Sequence, residues 1–318
     1  MTTAIQATGL VKRYGEVEAL GGLDLDVQEG KVLGVLGPNG AGKTTAVSIL
    51  TTLTEADEGE ATVAGADVFR EPAEVRRRIG LSGQYAAVDE ILTGFENLDM
   101  IGRLYRLGAK KARQRADELL ERFSLADAGR RPVKGYSGGM RRRLDLACSL
   151  VAEPPVLFLD EPTTGLDPRS RLDLWDVIRE LVDGGTTLLL TTQYLEEADR
   201  LADDILVIDR GRAIARGTAS ELKASVGTQR VEVTVLDGRV AEAVALVEPL
   251  ASGEIDVDEE SGRLRAPVDD GSVSLRAMLR ALEEVEIPLD EVGLARPTLD
   301  DVFLTLTGHS AEDEGSPS

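Results

Sequence analysis

The sequence predicts an α/β domain built on a mainly parallel sheet, followed by a small α+β domain. Three observations carry that expectation. Short, wholly apolar runs alternate with helical patterns through the first two thirds of the chain, as buried parallel strands and their covering helices do. Beyond Gly227 the texture changes to half-apolar alternation. The charge changes there too: Val231 to Ser318 holds 21 acidic and 6 basic residues, a net of −15 out of −21 for the whole chain.

The elements follow in order. Val32–Leu36 is an apolar run entering a glycine-rich turn and reads as a buried strand. Residues 43–53 have helical spacing, with Val47, Leu50 and Leu53 on one face. Ile79–Leu81, Val156–Leu159, Leu188–Leu190 and Ile205–Ile208 read as further strands, and helices fit at about 111–123, 138–152, 169–182 and 195–202. Arg230–Leu236 then alternates like a half-exposed strand, and Val240–Val247 reads as a helix. Short strands near 254–258 and 263–268, a helix at 273–284 and a strand near 289–294 complete a β-α-β-β-α-β order, which is ferredoxin-like. The expected boundaries are 1–225 for the first domain, 230–308 for an acidic accessory or regulatory domain, and 309–318 for a polar, disordered tail.

Composition narrows the function. With 318 residues, 42% hydrophobic and 29% charged, the chain can bury a substantial core. A net charge of −21 without a visible basic groove argues against nucleic acid as a partner. The single cysteine, Cys148, excludes an intrachain disulfide framework, and the single histidine, His309, falls in the tail, away from any catalytic body. No apolar run approaches the roughly 18–20 residues that span a bilayer, and the amino terminus lacks a signal-peptide pattern. A soluble, cytosolic chain is expected.

Two motifs carry chemistry. Gly37-Pro38-Asn39-Gly40-Ala41-Gly42-Lys43-Thr44 fits G-x-x-x-x-G-K-[ST] and lies between an expected strand and an expected helix. Glycines let successive backbone N–H groups curl toward phosphate oxygens, and the helix start adds partial positive charge. Lys43 is expected on the β- and γ-phosphates of ATP, and Thr44 on Mg²⁺. Val156-Leu157-Phe158-Leu159-Asp160-Glu161 puts two carboxylates at the carboxyl end of a buried strand, where parallel sheets bind ligands. Asp160 suits Mg²⁺, and Glu161 suits the orientation and deprotonation of attacking water.

Tyr136-Ser137-Gly138-Gly139-Met140, 23 residues from Ser137 to Asp160, makes the order of motifs specific. With it, residues 4–225 resemble the nucleotide-binding subunit of an ABC transporter: a P-loop ABC-type nucleotide-binding domain with a helical subdomain, followed here by the small α+β domain. The resemblance implies an ATPase that closes as a homodimer around two Mg-ATP, Ser137, Gly138 and Gly139 meeting the γ-phosphate held by the second copy. It extends phosphate binding to Thr45 beside Thr44, and implies that Tyr14 stacks on adenine. It also implies that Gln84 touches Mg²⁺ and leads toward an integral membrane permease, and that Asp167 in Gly165-Leu166-Asp167 lies at the dimer interface. The chain would work peripherally, at the cytoplasmic face of the membrane.

Two positions depart from that pattern. Met140 replaces the usual signature glutamine, and Gln193 in Thr191-Thr192-Gln193-Tyr194 replaces the usual switch histidine. A glutamine amide can donate to a phosphate oxygen but cannot titrate. Together with Arg296-Pro297-Thr298-Leu299-Asp300-Asp301-Val302-Phe303-Leu304, this narrows the resemblance to the daunorubicin/doxorubicin-resistance, multidrug-efflux branch. A soluble or regulatory ABC-type ATPase without a membrane partner is the alternative. Cys148 and Trp175 read as packing residues, and Arg76–Arg78 and Arg141–Arg143 as solvated helix faces or ion-pair donors to a partner.

Overall fold

The computed structural model describes residues 2–83, 88–225, 229–236, 238–258, 261–295 and 297–307. Two units emerge, Met1–Ala219 and Ser220–Ser310. The first runs β1 (Thr3–Tyr14), β2 (Val17–Gln28), β3 (Val32–Leu36), α1 (Lys43–Leu50), β4 (Glu58–Val63), β5 (Ala66–Asp67), α2 (Pro72–Arg78), β6 (Ile79–Ser82), α3 (Gly94–Leu104), α4 (Ala109–Arg122), α5 (Gly138–Ser149), β7 (Val156–Asp160), α6 (Pro168–Asp183), β8 (Thr187–Thr192), α7 (Leu195–Leu201), β9 (Asp204–Asp209) and β10 (Arg212–Gly217).

The central sheet has the order β10-β9-β3-β8-β7-β6. β6, β7, β8, β3 and β9 are parallel, and only β10 is antiparallel. Apolar residues on both sides of each strand explain why the runs read as continuous rather than alternating. In β7, Val156 and Phe158 pack into one core with β1, β2, β4 and α1. Leu157 and Leu159 point into a second core with α3–α7. β1, β2, β4 and β5 form a separate antiparallel sheet of order β2-β1-β4-β5.

Several boundaries differ from the sequence expectation. The first helix stops at Leu50, because Thr52 turns to φ +65°, and Leu53 is 66% exposed rather than on the buried face. The signature helix likewise ends at Ser149 rather than near 152.

α8 (Ala219–Ser225) opens the second part, followed by β11 (Gln229–Val235), α9 (Val240–Val247), β12 (Asp256–Asp258), β13 (Arg263–Val268), α10 (Gly271–Glu284), β14 (Leu289–Ala295) and α11 (Leu299–Thr307). Its sheet order is β12-β13-β11-β14, antiparallel throughout. From β11 to β14 this is the ferredoxin-like β-α-β-β-α-β arrangement. The module has its own core, including Val231, Val233, Leu264, Met278 and Leu282. The tail from 308 onward, with His309, lies outside the described residues.

Candidate active site

The phosphate loop spans the gap between β3 and α1, at the carboxyl edge of the parallel sheet. Its last glycine shows why the motif needs glycine there. Gly42 sits at φ +103°, and a Cβ on it would lie 2.5 Å from the Ala19 carbonyl oxygen and 2.8 Å from Leu20. No side chain caps the amino terminus of α1, so its first-turn N–H groups are left for another acceptor.

Lys43 is 4% exposed. Its Nζ donates to the carbonyls of Gly37 at 2.7 Å and Pro38 at 3.1 Å, and lies 3.4 Å from Glu161 Oε1. Burial lowers the ammonium pKa below its ordinary value, opposed by the Glu161 and Asp160 carboxylates.

β7 delivers the two acids. Asp160 Oδ1 accepts from the Thr44 hydroxyl at 3.3 Å and from the Thr191 hydroxyl at the end of β8. Glu161 follows in the left-handed region, φ +48°, a conformation that costs a residue with a Cβ about 1–2 kcal/mol. Its N–H donates to the Thr191 carbonyl and hydroxyl, both at 3.1 Å, and its Oε2 accepts from Thr164 at 3.3 Å. Lys43, Thr44, Asp160 and Glu161 therefore meet in one cluster, as the motifs predict. Hard oxygen donors from Thr44 and Asp160 suit Mg²⁺. No group of three or more His, Cys, Asp or Glu among the described residues could hold a metal ion, so Mg²⁺ here would need nucleotide oxygens as well.

The signature residues form a second cluster. Ser137 caps α5, its Oγ accepting from the Met140 N–H at 3.2 Å. A Cβ on Gly139 would come within 2.7 Å of Ser170 Oγ. Ser170 in turn donates to Asp167, from its N–H at 3.0 Å and its hydroxyl at 2.7 Å, and these bonds hold the Asp167 carboxyl below its ordinary range. So the Ser137–Gly139 turn packs against the Asp167 loop of its own chain. The hydrogen bonds of Ser137 and those of Lys43 go to separate partners.

Tyr14, at the end of β1, is 51% exposed, with the Lys12 ammonium 5.5 Å from its ring centroid. Gln193 stands half-buried one residue past β8. Gln84 lies outside the described residues.

Three buried residues escaped the sequence reading. Arg142 is only 7% exposed and corrects the expectation that Arg141–Arg143 form a solvated face or pair with a partner. The guanidinium donates inward, to the carbonyls of Gly83, Asp160, Glu161 and Pro162. The helical period carried the signal: Arg142 shares a face with buried Gly139, Asp145 and Leu146. Asp145 accepts from Ser82 Oγ at 2.6 Å. Glu197, fully buried on α7, accepts from Trp175 Nε1 at 2.9 Å. Burial raises its carboxyl pKa, opposed by the Trp175 hydrogen bond and the Arg171 charge. Arg76 and Arg77 are exposed as expected, whereas Arg78 is half-buried and donates to the Ala64 carbonyl at 2.7 Å; Arg77 and Arg78 both pair with Glu74. Cys148 and Trp175 are packing residues, as expected.

The ABC transporter family profile matches residues 20–164, and the profile for the carboxy-terminal domain of DrrA1-3-like ATP-binding proteins matches 217–307. The daunorubicin resistance ATP-binding protein DrrA2 of Streptomyces coeruleorubidus is 59% identical over 98% of this chain and 97% of its own length. The daunorubicin/doxorubicin resistance ATP-binding protein DrrA of Streptomyces peucetius is 52% identical over 99% and 96%. Among solved structures, the ATP-binding cassette MJ0796, a dimer in a post-hydrolysis state with ADP and Pi, superposes with a TM-score of 0.62. It is 25% identical and covers 67% of this chain and 98% of its own. CbiO1 of Clostridium perfringens, part of an ABC transporter complex, gives 0.65 at 25% identity, covering 70% and 92%. The chain belongs to the family of ABC transporter ATP-binding proteins, nucleotide-binding ATPases, in the branch that carries a DrrA-like carboxy-terminal domain.

Proposed function

We propose that this chain is the motor subunit of a bacterial exporter that drives drug or antibiotic efflux through a separate integral membrane permease. Two copies close head to tail around two Mg-ATP, each site taking Lys43 from one copy and Ser137 from the other. The observation that carries the reading is the convergence of Lys43, Thr44, Asp160 and Glu161 at one sheet edge, while the Ser137 hydroxyl caps its own helix.

Within each site Lys43 and the loop from Gly37 to Thr45 bind the phosphates, and Tyr14 stacks on the base. An incoming phosphate competes with Glu161 for the Lys43 ammonium, which frees the Glu161 carboxylate to accept a proton from water. Thr44, Asp160 and Gln84 would hold Mg²⁺, which when bound neutralises phosphate charge. Gln193 donates its amide to the γ-phosphate, and Asp167 lines the dimer seam.

A permease partner is supported by an apolar cleft of about 330 Å³ lined by Leu53, Leu81, Ile101, Leu104, Tyr105 and Cys148, with Leu104 74% exposed. No helix among the described residues is long and apolar enough to cross a membrane. The transport path then belongs to another polypeptide, and this chain works against that partner at the cytoplasmic face. Daunorubicin and doxorubicin, which name the relatives, are the first compounds to test.

Glu161→Gln should bind Mg-ATP and accumulate as a dimer on size exclusion, because closure outlasts the missing hydrolysis. A monomer at saturating Mg-ATP would contradict the sandwich. Purification of the tagged chain from mild-detergent extracts of its host should bring down a multi-span membrane protein at near-equal stoichiometry. Recovery without one would favour a soluble or regulatory ATPase.

A further inference from the structure

We propose that Arg142 is a positioning residue for ATP hydrolysis, holding Glu161 in its working orientation and linking it to the helix that Ser137 caps. The inference rests on the reading of Glu161 as the base that activates water.

A buried guanidinium is costly unless its donors are satisfied. Arg142 is satisfied in an unusual place. Nε donates to the Pro162 carbonyl at 2.6 Å, and one terminal nitrogen donates to Asp160 at 3.1 Å and Glu161 at 2.9 Å. The other donates to Gly83, at the end of the segment that leads to residue 84. Asp160, Glu161 and Pro162 are consecutive, and they mark the point where β7 stops and Glu161 enters the left-handed region. There the chain leaves the sheet, so these carbonyls need donor partners outside the ladder. Arg142 supplies them all, and in doing so favours the backbone turn that sets Glu161 against Lys43.

The clamp is itself held. Asp145, one turn further along α5, has Oδ2 3.9 Å from Arg142 and accepts from Ser82 Oγ on β6. Lysine could not reproduce the arrangement, since an ammonium offers three donors on a flexible stem whereas the guanidinium offers five in a plane. Ser137 lies five residues before Arg142, at the cap of the same helix. A tilt of α5, when the signature turn meets phosphate on a second copy, therefore reaches Glu161 of the signature's own chain through the guanidinium.

The test compares full-length wild type, R142K, R142Q, E161Q and the R142Q/E161Q double variant. Melting, affinity for a fluorescent ATP analogue, and steady-state and single-turnover hydrolysis are measured for each. R142Q should stay folded and bind nucleotide within about threefold of wild type, with KM similarly kept and kcat reduced by about tenfold or more. R142K should recover part of that loss. On the E161Q background, R142Q should cause no further loss, because Arg142 acts through Glu161. Unchanged kcat in folded R142Q, beside an inactive E161Q, would overturn the proposal alone. Losses of affinity and kcat in parallel, or multiplicative losses in the double variant, would also overturn it, by making Arg142 a general stabiliser. Should R142Q fail to fold, R142K carries the test: a kcat loss with KM kept supports positioning, and a wild-type kcat refutes it. Hydrolysis by E161Q at the wild-type rate would instead refute the reading of the base.

Discussion

Neighbouring glycines of the signature turn have different duties. A Cβ on Gly138 would meet nothing within 4 Å, whereas one on Gly139 would press on Ser170. Gly138→Ala should therefore melt at or slightly above the wild-type temperature, yet weaken ATP-driven dimerisation if a second copy's phosphate approaches that turn. Gly139→Ala should lower stability by about 1–3 kcal/mol, read from denaturant melts, because the overpacked contact sits at the Asp167 loop. At Glu197, burial raises the carboxyl pKa above its ordinary 4.5. The folded state then keeps a proton that the unfolded chain releases. That contribution is fully present below about pH 4.5 and is lost as pH rises through the raised value. Glu197→Gln keeps an acceptor for Trp175 and removes the titration, so its melting temperature should gain on wild type between pH 4 and pH 8. Gln193→His should retain ATPase within a few-fold, while its pH profile acquires an inflection near about 6.5 that the amide cannot produce. Complete loss of activity would mean that the switch is built around the amide.

Helix α5 shows how a local element serves two sites. Its cap is a single hydroxyl, and Ser137→Ala should cost about 1 kcal/mol through that cap. A much larger loss in ATP-driven association, compared with that in melting, would separate the phosphate contact from the capping role. The parallel strands and the phosphate loop were legible because fully buried strands repeat one chemistry, and because G-x-x-x-x-G-K-T has few other uses. β1 and β2 are absent from the sequence reading. Their ladder carries several register shifts near Gly9, Gly21 and Gly22 that interrupt the pattern, although Leu23, Leu25 and Val27 alternate cleanly with Asp24, Asp26 and Gln28. α3 is absent from the sequence reading although Thr93 and Glu96 form a reciprocal capping box, a signal that apolar spacing alone does not reveal. Arg142 hides for a related reason: its charge suggests solvent, whereas its place on the helix faces the core.

For the whole molecule, the two units have separate cores, and the acidic module closes its sheet with its own residues. Residues 220–310 should therefore fold alone with a cooperative thermal transition by circular dichroism. Residues 1–219 should keep ATP binding if the module is accessory, and loss of binding by that fragment would give the module a direct part in the site. The chain has a single tryptophan, Trp175, 1% exposed, whose indole N–H is bonded to Glu197 four residues after Gln193. Excited at the red edge, where the five tyrosines do not absorb, its emission therefore comes from one ring, bonded to the helix that follows the residue expected to sense the γ-phosphate. Rearrangement of that helix during turnover would alter the colour or yield of this light, so the motor's switch can be followed in real time without a dye.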